Sequence, residues 1–225
     1  MTISLRRRNN GGFTLIELLV VMAIIAILAS VILVGGTQAI NAAKRAKASY
    51  TATQVQTAIM NYYTEYGVYP VPAGTTSEDF LYGSAAPTTV DTNETQLTIA
   101  LCGNVNPYTA SADTSTVSNT RNITYLTPKK NEVDTNGTLI TPFSSGTTYY
   151  YYWIAVDSDY SGVLGDSGTA KGAMPDFSSW TSGSTSSATV SGLTQGVAVW
   201  ANCDTSDLGG AASTSTAPNF WVHTY

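Results

Sequence analysis

One carboxylate in this chain stands where a carboxylate is costly. Glu17 is the fifth residue of an apolar run, residues 13–34, in which it is the only charge. A charged side chain in such a span costs on the order of 2.5–3.5 kcal/mol unless it finds a partner, and the run contains no cation. The preceding residues, Gly11-Gly12-Phe13-Thr14-Leu15-Ile16-Glu17, suggest where one comes from. Cutting after Gly12 frees the α-amino group of Phe13, about one helical turn from the carboxylate. The chemistry is then ion pairing of Glu17 with an amine, its own or that of a neighbouring copy. The alternative is a side chain near a helix end that snorkels to lipid headgroups.

A second set of side chains has the chemistry of hard-cation ligation. Asp157-Ser158-Asp159-Tyr160-Ser161-Gly162 places oxygen side chains at positions 1, 3 and 5 with glycine at 6, as a calcium loop begins. Position 12 is Gly168, where such a loop needs a bidentate Glu, so only half the pattern is present. The competing reading is solvated turn residues. Two cysteines, Cys102 and Cys203, lie about a hundred residues apart. A bridge between them would contribute about 4–5 kcal/mol on the chain-entropy account, and geometry decides whether it forms.

These residues need elements to position them. At about 1.5 Å per residue, residues 13–34 make roughly 33 Å of helix, enough for a bilayer core. Arg6, Arg7 and Arg8 precede the run and no basic residue follows it until Lys44. The positive-inside rule therefore leaves the leader in the cytoplasm and the remainder outside. A secretory signal loses its apolar segment on cleavage; here a cut after Gly12 keeps it at the new N-terminus.

At this point the residues carry a resemblance. Gly12-Phe13-Thr14-Leu15-Ile16-Glu17 with the apolar run behind it resembles the class III signal of type IV pilins and of type II secretion pseudopilins. Tyr62-Tyr63-Thr64-Glu65-Tyr66-Gly67-Val68-Tyr69-Pro70 is similar to the helix end of the major pseudopilins. The resemblance implies cleavage after Gly12 by a prepilin peptidase, methylation of the Phe13 amine, and pairing of Glu17 with the amine of an adjacent subunit. The implied partners are that peptidase, other pilin or pseudopilin subunits in a helical filament, an inner-membrane assembly platform, and membrane lipid before assembly. It also implies an inner-membrane, single-pass, N-in/C-out precursor and a periplasmic or extracellular filament. Major pseudopilins bind calcium near the C-terminus, and Asp204-Thr205-Ser206-Asp207-Leu208-Gly209-Gly210 loosely resembles that loop. Many type IV pilins carry a head disulfide and major pseudopilins commonly do not, so the resemblance leaves Cys102 and Cys203 open. Many members have a helix-bending Pro near Val34; this chain has Gly35-Gly36, expected to act as a local melting point.

The spacing predicts four regions: leader 1–12, assembly helix 13–36, amphipathic helix 37–66, and a β-rich head 67–225. Ala48, Ala52, Val55, Ile59, Tyr62 and Tyr66 fall on one helical face, which a head should cover. Gly67 and Pro70 supply a stop. Residues 147–156, 196–201 and 219–225 read as strands, with 122–126 a weaker fourth, while 84–119 and 178–192 read as loops. The fold class expected is α+β, a long N-terminal helix packed on an antiparallel head.

Beyond Ser49 lie only Arg121, Lys129, Lys130 and Lys171, against every acid but Glu17, in a chain of net charge −5. Such an acidic head argues against direct nucleic-acid binding. The one histidine, His223, has no G-x-S-x-G companion, and no P-loop or G-x-G-x-x-G turn is present, so no enzyme is expected and no cofactor is required, calcium being the one candidate. Two functions remain: a filament subunit, most like a major pseudopilin and alternatively a surface pilin for adhesion, twitching or DNA uptake, or a monomeric membrane-tethered binding module. The filament reading is preferred because a tether has no use for Glu17.

Overall fold

The computed structural model describes residues 13–75, 78–83, 90–113, 115–166, 168, 192–203 and 219–224, leaving out the side chains of 31, 33–35, 203 and 219–223. The chain divides into two compact units, Met1–Ala42 and Ala43–Tyr225. The first helix, α1, is Leu15–Tyr66. It continues through Gly35-Gly36, so the break expected there is not seen. Two glycines lower helix propensity by about 1 kcal/mol each, which is not enough to stop a helix of 52 residues. Beside Gly36 nothing approaches within 4 Å of where a Cβ would stand.

In the second unit, α1 turns the expected stripe inward. Ala48, Ala52, Val55, Ile59 and Tyr62 are buried in the main core, and Tyr66 packs at its margin. The helix ends where Gly67 takes φ +70 and its N–H reaches Tyr63 O at 2.8 Å. That left-handed cap is one that a side chain would strain.

The remaining elements are β1 (Phe80–Tyr82), α2 (Thr92–Leu101), a single 3-10 turn, β2 (Tyr152–Val156), β3 (Val197–Cys203) and β4 (Asn219–His223). The strands form one antiparallel sheet in sequence order, with Phe80 opposite Val156 and Trp153 opposite Trp200. A register shift between Ala201 and Asn202 interrupts the β3–β4 ladder. Alternation sorts the side chains between two faces. Tyr82, Tyr152, Ile154, Val156, Val197, Val199 and Ala201 join α1 in the main core. Leu81, Trp153, Ala155, Ala198 and Trp200 form a second cluster with Leu164. Both faces are therefore covered, which is why β2 shows no polar alternation.

The α+β expectation holds, with three differences. Residues 92–101 are helical rather than loop: Asp91 caps α2 by accepting the Asn93 N–H at 2.9 Å, and Leu97, Ile99, Ala100 and Leu101 are buried. Its three threonines, Thr92, Thr95 and Thr98, hide a helix that burial and a cap sustain. Residues 80–82 form a short edge strand that was not foreseen. Of 122–126, only an isolated bridge between Thr124 and Cys102 is made.

α2 carries an unusual group. Glu94 is 1% exposed, and its carboxylate makes no well-formed hydrogen bond; the Tyr152 N–H only approaches it. Burial, then the nearby Asp91 and Asp134, push its pKa well above the usual carboxylate value of 4.5. The folded head therefore holds a proton that the unfolded chain releases, and stability falls as pH rises above about 4.5 toward the folded pKa. Replacing Glu94 with Gln should remove this loss, which has a slope of up to about 1.4 kcal/mol per pH unit. Unfolding midpoints of the full chain in detergent between pH 5 and 9, roughly the span in which a raised carboxyl titrates, should separate the two proteins progressively toward alkaline pH.

Candidate functional site

The N-terminal residues build a site from their own helix start. Thr14 precedes α1 and Glu17 lies in its first turn. The Thr14 N–H and Oγ1 each donate to Glu17 Oε2 at 2.8 Å, and the Glu17 N–H donates to Thr14 Oγ1 at 3.3 Å. This is a reciprocal capping box, which satisfies helix-end donors with the very carboxylate that the apolar run would otherwise strand. The T-x-x-E spacing signals it, a signal overlooked when Glu17 was weighed as an ion-pair partner or a snorkelling side chain.

Around this cap the helix is apolar and uncovered. Phe13 and Leu15 are each 87% exposed, and Ile16, Leu19, Met22, Ile25, Ile27 and Ile32 are all solvent-facing. An apolar surface this continuous requires lipid or other helices against it. Among the described residues no helix qualifies as long and apolar enough to cross a membrane. The side chains of 31 and 33–35, within the apolar run, are outside that description. Gly12 also lies outside the described residues, and Phe13 is described.

The second candidate, the acidic loop, gains a member. Asp157, Asp159 and Asp79 bring one carboxylate oxygen each within 4.8 Å of one another. The Ser161 N–H donates to Asp157 Oδ1 at 3.1 Å and Asp159 Oδ1 at 3.0 Å, while Gly162 N–H donates to Asp157 Oδ2 at 3.0 Å. The Ser161 hydroxyl is engaged with Val163 O at 3.2 Å. Burial, with the charges of Asp159, Asp157 and Asp166, pushes Asp79 up to about 6 against the pull of the Gly165 N–H. Burial and Asp159 raise Asp157 as well. Three oxygen donors so close, two of them, Asp79 and Asp157, disfavoured as anions, fit the donor set of a hard divalent cation. Asp204 and Asp207 lie outside the described residues. Asp79 was missed because nothing in its local sequence points to a loop so far along the chain; antiparallel pairing of β1 with β2 brings them together.

Cys102 caps the C-terminal end of α2, buried, with a free thiol that burial raises to about 12. Such a thiol is a packing group, not a nucleophile. The side chain of Cys203 is outside the described residues.

Residues 7–33 match the family described as the prokaryotic N-terminal methylation motif. This is the class III signal of type IV pilins and pseudopilins, and it supports a subunit of that structural kind without distinguishing one from the other. It implies processing by a prepilin peptidase, membrane anchoring and assembly with other pilin subunits. No curated protein and no solved structure matches the chain.

The cap makes a separable prediction. Replacing Thr14 with Ala removes a hydroxyl worth about 1 kcal/mol to a helix start. Amide exchange in the first turn of α1 should then quicken about fivefold, with the head amides unchanged.

Proposed function

We propose that this chain is the subunit of a type IV pilin-like filament, made as a membrane-stored precursor. The observation that carries this is the methylation motif over residues 7–33, coinciding with an apolar helix whose lone charge is Glu17. The precursor sits N-in and C-out with residues 13–34 in the bilayer, oriented by Arg6, Arg7 and Arg8. A prepilin peptidase cuts after Gly12 and methylates Phe13, leaving an amine that titrates as a cation.

In this reading Glu17 gains a second partner. The Thr14 donors both fall on Oε2, so Oε1 remains for an incoming amine from an adjacent subunit. The Thr14 bonds leave the carboxylate's charge uncancelled, so an amine on Oε1 adds an ion pair and docking proceeds without breaking the cap. Packed α1 helices then replace lipid on the exposed apolar face, and the β-rich heads lie outside. The closest role is that of a major pseudopilin of type II secretion, supported by Tyr66-Gly67-Val68-Tyr69-Pro70 at the helix end. The protein is not an enzyme in this reading. A divalent cation, calcium, binds Asp79, Asp157 and Asp159 and relieves their mutual repulsion.

Purified from its host, the polypeptide should begin at N-methylated Phe13, and the Glu17→Ala form should insert and be cut normally yet yield about a hundredfold less sedimentable filament. Normal filament from that variant would refute the reading. Deletion of the gene, scored for secretion, surface fibres and twitching, separates pseudopilus from pilus. For the cation, adding about 1 mM calcium, the weak-binding range of extracellular sites, should raise the unfolding midpoint of the full chain and chelator should reverse it; the Asp157→Asn protein should respond to neither.

A further inference from the structure

Charge in the Ala43–Tyr225 unit is divided between its ends. Near residue 43, the cations Lys44, Arg45 and Lys47 of α1 are joined by Lys129 and Lys130. Lys47 Nζ lies 3.0 Å from Glu132 Oε1, and the Lys129 N–H donates to Glu132 Oε2 at 3.0 Å. Lys44 Nζ lies 5.9 Å above the Phe143 ring, and Lys130 Nζ lies 4.4 Å above that of Tyr108. Lys47 and Lys129 thus meet the Glu132 carboxylate, while Lys44 and Lys130 lie over aromatic rings.

Nearly 30 Å further along α1, at about 1.5 Å per residue, the sign reverses. Tyr63 stacks on Tyr69 at 4.6 Å and Tyr69 on Tyr160 at 5.6 Å, which ties the end of α1 to the acidic loop. Asp79, Asp157 and Asp159 cluster there. Asp166 acts on Asp79, and Glu78 O accepts from the Ser158 hydroxyl. The described cation at this end of the helix, Arg121, is ion-paired with Glu65. Glu78, Asp166 and Tyr160 are exposed, as are Lys129 and Lys130 at the other end.

We infer that the two ends are the complementary halves of one head-to-tail contact, in which the acidic end of one copy receives the basic end of the next. The inference rests on the proposed filament and names which head surfaces meet in it. A contact between two different patches of the same molecule does not close on itself; repeated, it gives an open helical array. Each exposed ion pair is weak alone, but opposite end charges favour this order of copies and penalise the two like-charged orders. The other surface that the basic end could meet is an anionic lipid headgroup layer, and the test separates it.

The test uses the full chain in its own host. Lys129→Glu with Lys130→Glu, and separately Glu78→Lys with Asp166→Lys, should each reduce sheared filament about tenfold or more. All four together should restore it to within about twofold of the unmodified chain. Independently, Lys130→Cys with Asp166→Cys should give an oxidised ladder of covalent multimers, while each single variant gives none beyond a dimer. Filament yield unchanged by either reversal overturns the inference and leaves the filament reading standing. So does failure of both the fourfold variant and the cysteine pair, or a basic-end reversal that lowers only binding to anionic vesicles. Absence of polymer from the unmodified, processed chain overturns the filament reading and this inference together.

Discussion

A carboxylate at the head of an apolar helix must always have donors, and the start of α1 is arranged around that requirement. In the uncut chain the donors are the Thr14 N–H and hydroxyl, both on Glu17 Oε2. They are local, neutral and available wherever the helix sits, so the residue is tolerable before any partner arrives. They do not cancel its charge. A cation therefore remains the stronger partner, and the methylation motif marks the place where processing would make one. The helix start is capped, yet its charge stays open to a further partner.

The head answers a different constraint. α1 buries one narrow stripe of small and aromatic side chains in its second half, and the sheet that receives it is covered on the opposite face by the Trp153 and Trp200 cluster. With both faces of the sheet occupied, polar groups in the head are held by loops and caps: Asp91 caps α2 and also accepts the Gly83 N–H at 3.1 Å, and Asp134 accepts the Thr138 N–H at 2.8 Å. Glu94 lies amid this network with only the Tyr152 N–H near its carboxylate, which makes it one point at which the core is sensitive to pH. The sheet's irregular end, between Ala201 and Asn202, adjoins Thr141, whose hydroxyl donates to Asn202 O at 2.8 Å.

How much of this was legible in the chain follows from where the signal lies. Spacings of three and four marked the face of α1 that the head covers, because helical geometry is local and periodic. The three longer strands were legible from runs of Tyr, Val, Ile and Trp. The helix at 92–101 was not, because threonine is a poor helix former and only burial of Leu97, Ile99 and Leu101 makes the helix worthwhile. The continuity of α1 through Gly35-Gly36 likewise went against local propensity.

The candidate sites divide in the same way. Glu17, Phe13 and Gly12 are neighbours in the chain, so their types and order suffice to suggest cleavage and ion pairing, and the Thr14 cap was there to be read at the same spacing. Asp79 and the segregation of charge to two ends of the head were beyond reach of the sequence. They depend on β1 pairing antiparallel with β2 and on Glu132 meeting Lys47 from a loop far along the chain. A sequence determines the interactions that lie within a few residues, where backbone geometry is already known. Contacts between distant residues were decided only by tertiary structure, because they are set by which surfaces the core leaves next to one another.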